Sequence, residues 1–127
     1  MRNAVFVVEQ NCAYQDVDDK DQEAIHLLML SDDHVLAGYC RILPPGVSYK
    51  EPAIGRVVVS ENFRGTKSGK LLMKQSINET LKLFKDQSIV ISAQLYLLKF
   101  YTGLGFIAEG EAYDEDEIPH VKMRYTP

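Results

Sequence analysis

From residue 56 to residue 76 the chain reads RVVVSENFRGTKSGKLLMKQS. A β-branched apolar run ends, a short stretch carrying Gly65 and Gly69 follows, and a helical pattern starts at once. The chemistry such a junction offers is anion binding. The first N–H groups of a helix lack partners inside the helix and converge on one point. The helix dipole adds positive potential there, so a phosphate is well placed. The backbone N–H groups of Gly65, Thr66, Lys67, Ser68, Gly69 and Lys70 are the candidate donors, with Arg64, Lys67 and Lys70 adding charge. The competing reading is that lysines at a helix start are simply solvated.

Two nucleotide templates do not fit. A P-loop requires GxxxxGK[ST]. Here Gly65 and Gly69-Lys70 enclose only TKS, one residue too few, and Leu71 stands where the magnesium-binding hydroxyl belongs. The dinucleotide template GxGxxG needs Gly-x-Gly, which GTK lacks.

The elements around the loop follow from hydrophobic spacing. VFVVEQ (Val5 to Gln10) reads as a helix end or a short strand, and the acidic stretch from Asn11 to Glu23 as a loop. AIHLLML (Ala24 to Leu30) and VLAGYCRIL (Val35 to Leu43) are expected to form an antiparallel hairpin across the SDDH turn, ended by PPG. AIGRVVV (Ala53 to Val59) is a strand, and SENFRGT (Ser60 to Thr66) a loop. From Ser68 to Phe84 the apolar residues Met73, Ile77, Leu81 and Phe84 share a helical face. SIVISA returns to strand, LYLLKFYTGLG (Leu95 to Gly105) predicts a second amphipathic helix closed by glycines, and FIAEGEAY and HVKMRYT are final strands. Hairpins followed by strand–helix–strand units predict an α/β (α+β) sheet with mixed strand directions.

Bulk composition is that of a compact protein: 127 residues, 46% hydrophobic and 25% charged, enough for one domain with its own core. A net charge of −4 argues against nucleic-acid or anionic-membrane partners. No apolar run approaches the ~20 residues of a membrane span. Cys12 and Cys40 form no CxxC and read as reduced thiols, which fits a cytoplasmic protein. His26, His34 and His120 are scattered without metal-ligand spacing, so no metal is expected.

A third template fits the loop. RGTKSGK resembles the pyrophosphate loop [QR]xxGx[GA] of the GNAT superfamily, the acyl-CoA-dependent N-acetyltransferases, with Arg64 first and Gly69 last. Lys67 occupies the middle glycine of that pattern. If the position needs φ > 0, a lysine costs roughly 1–2 kcal/mol there. SAQLYLLKFYTGLGF (Ser92 to Phe106) resembles the superfamily's second half, and VFVVEQNCAYQDVDDKD, HLLML, IGRVVV and AYDEDEIPHVKM resemble the ElaA-like branch. The resemblance spans nearly the whole chain, as a single acetyltransferase domain over residues 1–127. It implies a mostly antiparallel central sheet flanked by helices. Such proteins usually begin with a further strand and most of a helix before VFVVEQ, so the first strand is expected to be missing or truncated. The sheet edge this leaves could recruit a second copy, giving a homodimer.

The resemblance also implies direct transfer from acetyl-CoA, as cosubstrate, to an amine acceptor. Val57, Val58 and Val59 would offer their backbone edge to the pantetheine arm, as an added strand does, and a local splay would aim an N–H at the thioester oxygen. Gln94 would anchor the arm, or cap the following helix. Tyr101 would protonate the departing thiolate, or be a core tyrosine. The attacking amine must be neutral, which for a lysine-like group costs roughly 4–5 kcal/mol at pH 7. Glu9, His26 and His120 are the candidate bases or acceptor contacts, with His26 also readable as a core histidine. The acidic clusters at 16–21 and 114–117 read as solvated loops or as attractors of a cationic amine. A non-catalytic acyl-CoA-binding sensor or interaction module is the alternative function.

Overall fold

The computed structural model describes residues 5–10, 24–31, 33, 35–60, 67–85 and 87–127. The expected loops over 11–23 and 61–66 lie outside these, and with them Cys12, Arg64, Gly65 and Thr66. The described strands are β1 (Val5–Gln10), β2 (Ile25–Leu30), β3 (Leu36–Leu43), β4 (Ala53–Val59), β5 (Ile89–Gln94), β6 (Phe106–Glu115) and β7 (Ile118–Tyr125). Helix α1 spans Ser68–Leu83 and α2 spans Leu98–Gly103. VFVVEQ is thus a strand, paired antiparallel to β2.

One sheet holds all seven strands in the order β1-β2-β3-β4-β5-β7-β6. Every described pairing is antiparallel except β4 with β5. Parallel neighbours need a crossover connection, and α1 lies in it. The mixed, mostly antiparallel sheet with helices matches the sequence expectation.

α1 buries Leu72, Met73, Ser76, Ile77 and Thr80, with Leu81 and Phe84 half-buried at the margin of the core. Of its buried hydroxyls, Ser76 Oγ donates to the Leu72 carbonyl at 2.7 Å and Thr80 Oγ1 to the Ser76 carbonyl at 2.6 Å. The helix seats on β3 at Gly38. A Cβ there would come within 2.9 Å of Met29 Cε, 3.2 Å of Leu72 Cδ2 and 3.3 Å of the Val58 carbonyl oxygen, so a larger residue would press on the helix and on β4. Leu27, Met29, Cys40, Ile42, Ile54, Ile91 and Met123 complete the core on this face. Burial pushes the Cys40 thiol up to about 12, with a smaller opposing effect from its 2.8 Å contact with Ser76 Oγ, so it is not a thiolate at neutral pH. A smaller cluster of Ala24, Leu43 and Ala53 marks the opposite face.

The second helix is shorter than its apolar spacing predicts. Leu95–Leu97 form one turn of 3₁₀ helix, and α2 has six residues. Tyr101 is its buried residue, edge-on to Phe100 and Phe106. Gly105 then turns the chain at φ 107, where a Cβ would lie 3.0 Å from the Tyr125 ring. No described helix is long and apolar enough to cross a membrane.

Arg124 on β7 ties three segments together, Nη1 reaching Glu51 Oε2 at 2.6 Å and Nε reaching Glu109 Oε2 at 2.7 Å. Hydrogen bonding from Arg124 holds both carboxyls below the usual 4.5. Carboxyls depressed in the folded state contribute stability above their unfolded pKa and lose it as pH falls through the folded value. The urea midpoint is therefore expected to hold near neutrality and fall as pH drops below about 4.5, and Arg124→Met should flatten that fall.

Candidate active site

The site begins where β4 and β5 part. Their register contains one pair, Ala53 with Val90. Beyond it no β4–β5 pair occurs among the described residues, and β4 continues to Val59 alongside β3. A bulge accompanies the parting. Tyr39 and Arg41 of β3 face Val58 and Gly55 of β4, two steps against three. The extra residue lies between Gly55 and Val58, where Arg56 has φ 54. The bulge also resets the side-chain phase, since Ile54 and Val57 both reach the core although three residues apart.

A cavity of about 220 Å³ occupies the parting. Ile54, Gly55, Arg56 and Val57 wall it on the β4 side, and Ile91, Ser92 and Gln94 on the β5 side. Met73, Leu97 and Tyr101 close it from the helical face. Glu115 and His120 reach it from the hairpin β6–β7. A second cavity of about 380 Å³ shares Ile54, Gly55, Arg56, Ser92 and Glu115 with the first. Arg41, Leu43, Tyr49, Ala53 and Asp116 add to its wall. Leu43 and Ala53 belong to the face of the sheet away from α1. The two cavities adjoin along the β4–β5 parting, and the smaller one is lined from both faces of the sheet.

The hairpin delivers its side chains by register. Gln94 lies opposite His120 on β5, and Tyr113 opposite His120 on β6, so all three share a face, together with Ser92 and Glu115 two residues along. Asp116 and Glu117 form the two-residue connection at φ 53 and φ 65, the primed turn that a tight hairpin requires. His120 is buried at 6% exposure. Its Nδ1 lies 2.7 Å from the Ile118 carbonyl oxygen. A carbonyl only accepts, so Nδ1 carries the proton and Nε2 is left to face Glu115 Oε2 at 3.4 Å. The Tyr113 and Ser92 hydroxyls meet at 2.5 Å, and Ser92 Oγ lies 3.4 Å from Glu115 Oε1. The Tyr49 phenol is pushed up, first by burial and then by Tyr113 beside it. Burial also raises the Tyr101 phenol, with smaller contributions from Tyr96 and Cys40, so it stays protonated at neutral pH.

Of the residues singled out in the sequence, Val57, Gln94, Tyr101 and His120 meet in the smaller cavity. Val58 is exposed and Val59 packs against the core. Gln94 precedes the 3₁₀ turn and makes no side-chain cap, which removes its capping reading. Lys67 stands at the start of α1 in the left-handed conformation, φ 64, as its place in the loop pattern implied. Ser68 is buried, Lys67 and Lys70 are exposed, and a Cβ on Gly69 would meet only ordinary contacts at 3.8 Å from Phe100 and Val59. His26 is fully buried, its Nδ1 2.5 Å from the Tyr39 hydroxyl, and lines neither cavity. Glu9 pairs through its backbone with His26 on β2, and its side chain is outside the description. Ser92, Tyr113, Arg56 and Tyr49 were not singled out in the sequence, and Glu115 was read only as a member of the acidic run 114–117, which is the end of a hairpin. No group of three or more His, Cys, Asp or Glu that could hold a metal occurs among the described residues.

A mixed sheet whose one described parallel seam parts beside the start of α1 is the fold of an acyl-CoA N-acyltransferase. A family model described as an acetyltransferase (GNAT) domain matches residues 2–127, and the chain belongs to that family, as an N-acetyltransferase of its ElaA-like branch. Protein ElaA of Escherichia coli (strain K12) is 42% identical over 125 residues, spanning 97% of this chain and 81% of ElaA. The crystal structure of E. coli ElaA matches with a TM-score of 0.77 at 39% identity, covering 92% of this chain and 79% of that one. That of an acyl-CoA N-acyltransferase from Pseudomonas aeruginosa matches with a TM-score of 0.85 at 29% identity, covering 98% and 100%.

The left-handed Lys67 carries a strain that glycine does not. Lys67→Gly is expected to raise unfolding free energy by about 1 kcal/mol, read from the urea midpoint.

Proposed function

We propose that the protein moves an acetyl group from acetyl-CoA to a primary amine by direct transfer, with both substrates bound at once. The observation that carries this reading is the pair of cavities that adjoin along the β4–β5 parting. Each substrate enters from its own side, and the reacting atoms meet at the shared wall. A single domain over residues 1–127 is the proposed unit.

The stretch Val57, Val58 and Val59, beyond the last pair of β4 with β5, suits the amide-bearing pantetheine arm, which pairs as an added strand would. Gln94 faces it across the cavity and anchors an amide. The diphosphate is held at the start of α1 by the backbone of Gly65 to Lys70, with Arg64, Lys67 and Lys70 adding charge. Room for a Cβ at Gly69 supports this, since the protein's own packing does not demand glycine there. A backbone N–H of the bulged Arg56–Val57 stretch meets the oxyanion that develops as the amine adds to the thioester. Tyr101, kept protonated by burial, donates to the departing thiolate. Glu9 and His26 retain a role only as more distant contacts of the acceptor, on the same row of the sheet as Arg41.

Purified protein is expected to release thiol from acetyl-CoA when a primary amine is supplied, and Tyr101→Phe to lower kcat by about a hundredfold while CoA affinity measured by calorimetry holds. CoA binding without turnover on any amine of a broad panel would favour the non-catalytic module.

A further inference from the structure

The seam brings together a proton acceptor that nothing in the family match assigns. We propose that His120 Nε2, backed by the Glu115 carboxylate, is the general base that takes the proton from the acceptor's ammonium group. The inference rests on the transfer reading above and deepens it at the same site.

Three observations carry it. First, the tautomer is fixed. The Ile118 carbonyl holds Nδ1 as the donor at 2.7 Å, so the lone pair lies on Nε2, at the cavity. Second, that lone pair faces Glu115 Oε2 at 3.4 Å. Two acceptors at this separation have no hydrogen to share, and what satisfies both is a proton or a cation between them. An arriving ammonium supplies both in turn. Third, the position is right. His120 and Glu115 sit on the face of the sheet away from the helices, while Tyr101 reaches the same cavity from the helical face. Base and acid therefore approach the reacting atoms from opposite sides. Among the described histidines, His26 is hydrogen-bonded to Tyr39 and lines neither cavity.

The steps balance. The ammonium gives one proton to Nε2, forming an imidazolium stabilised by Glu115 and by the Ile118 carbonyl. The neutral amine adds its lone pair to the thioester carbonyl, the C–N bond forms and the C–S bond breaks. The second proton lost from nitrogen replaces the one that Tyr101 gives to the thiolate. The first leaves His120 to solvent, so the sum is ammonium plus acetyl-CoA giving amide, CoA thiol and one proton. The charged or titratable groups around Nε2 are Glu115 and Tyr113 from β6, Tyr101 from α2, and Arg56 from β4, with Asp116 in the adjoining chamber.

Steady-state kinetics of the full chain test this with two acceptors, an alkylamine that is protonated at pH 7 and an aromatic amine that is not. His120→Gln is expected to lower kcat/KM about a hundredfold or more with the alkylamine, and far less with the aromatic amine. CoA affinity should be unchanged. Glu115→Gln, at a half-exposed carboxylate, should lower kcat with the alkylamine while leaving its KM and the aromatic-amine rate unchanged. Equal losses with both amines in either variant would overturn the role of His120 while leaving the transfer reading intact. A wild-type protein that releases no thiol from acetyl-CoA overturns the transfer reading itself, and this inference with it.

Discussion

The parting of β4 from β5 after the single pair Ala53–Val90 sets every other feature of the site. In a regular parallel ladder both edges of both strands are spent on each other. Here a bulge at Arg56 and a crossover through α1 accompany the divergence of the two strands, and beyond Ala53 no β4–β5 pair is described. The same divergence makes a hole in the sheet. Side chains on the two faces, which a closed sheet would keep about 10 Å or more apart, reach a common space. Tyr101 and His120 line one cavity for this reason alone.

The hairpin β6–β7 is the second constraint. Its two-residue turn places both Asp116 and Glu117 in the left-handed region, which non-glycine residues enter at a cost. In return the register is fixed, and with it the diagonal from Glu115 to His120. A longer, relaxed loop would free the carboxylate to wander. Strain at the start of α1 follows the same logic, because Lys67 in a left-handed conformation aims the first N–H groups of the helix.

Much of this was legible in the chain. The strands of the central sheet and the extent of α1 follow from period-two and period-3.6 spacing. The loop pattern marked Lys67 as a position where a left-handed backbone would matter, and its φ is 64. Three things were not legible. The helix after Gln94 is apolar enough to read as eleven residues, yet the chain tightens to a 3₁₀ turn and only six residues are helical. The acidic run at 114–117 has the composition of a solvated loop, and only strand pairing reveals that Glu115 turns inward toward His120. The bulge at Arg56 sits in an unbroken β-branched run, where no glycine or proline marks it. Each miss is a matter of tertiary register, which local spacing does not encode.

Met73, which floors the smaller cavity, is also a fully buried member of the core under α1. Under the proposed transfer, the depth open to the acyl group is set by a residue that holds the helix to the sheet. Cutting Met73 back to alanine to admit a longer acyl group would cost about 2–5 kcal/mol, a large share of the roughly 5–15 kcal/mol that keeps a domain folded. Donor breadth and thermodynamic robustness are coupled in this fold, and a lineage that widens one must first accumulate a reserve of the other.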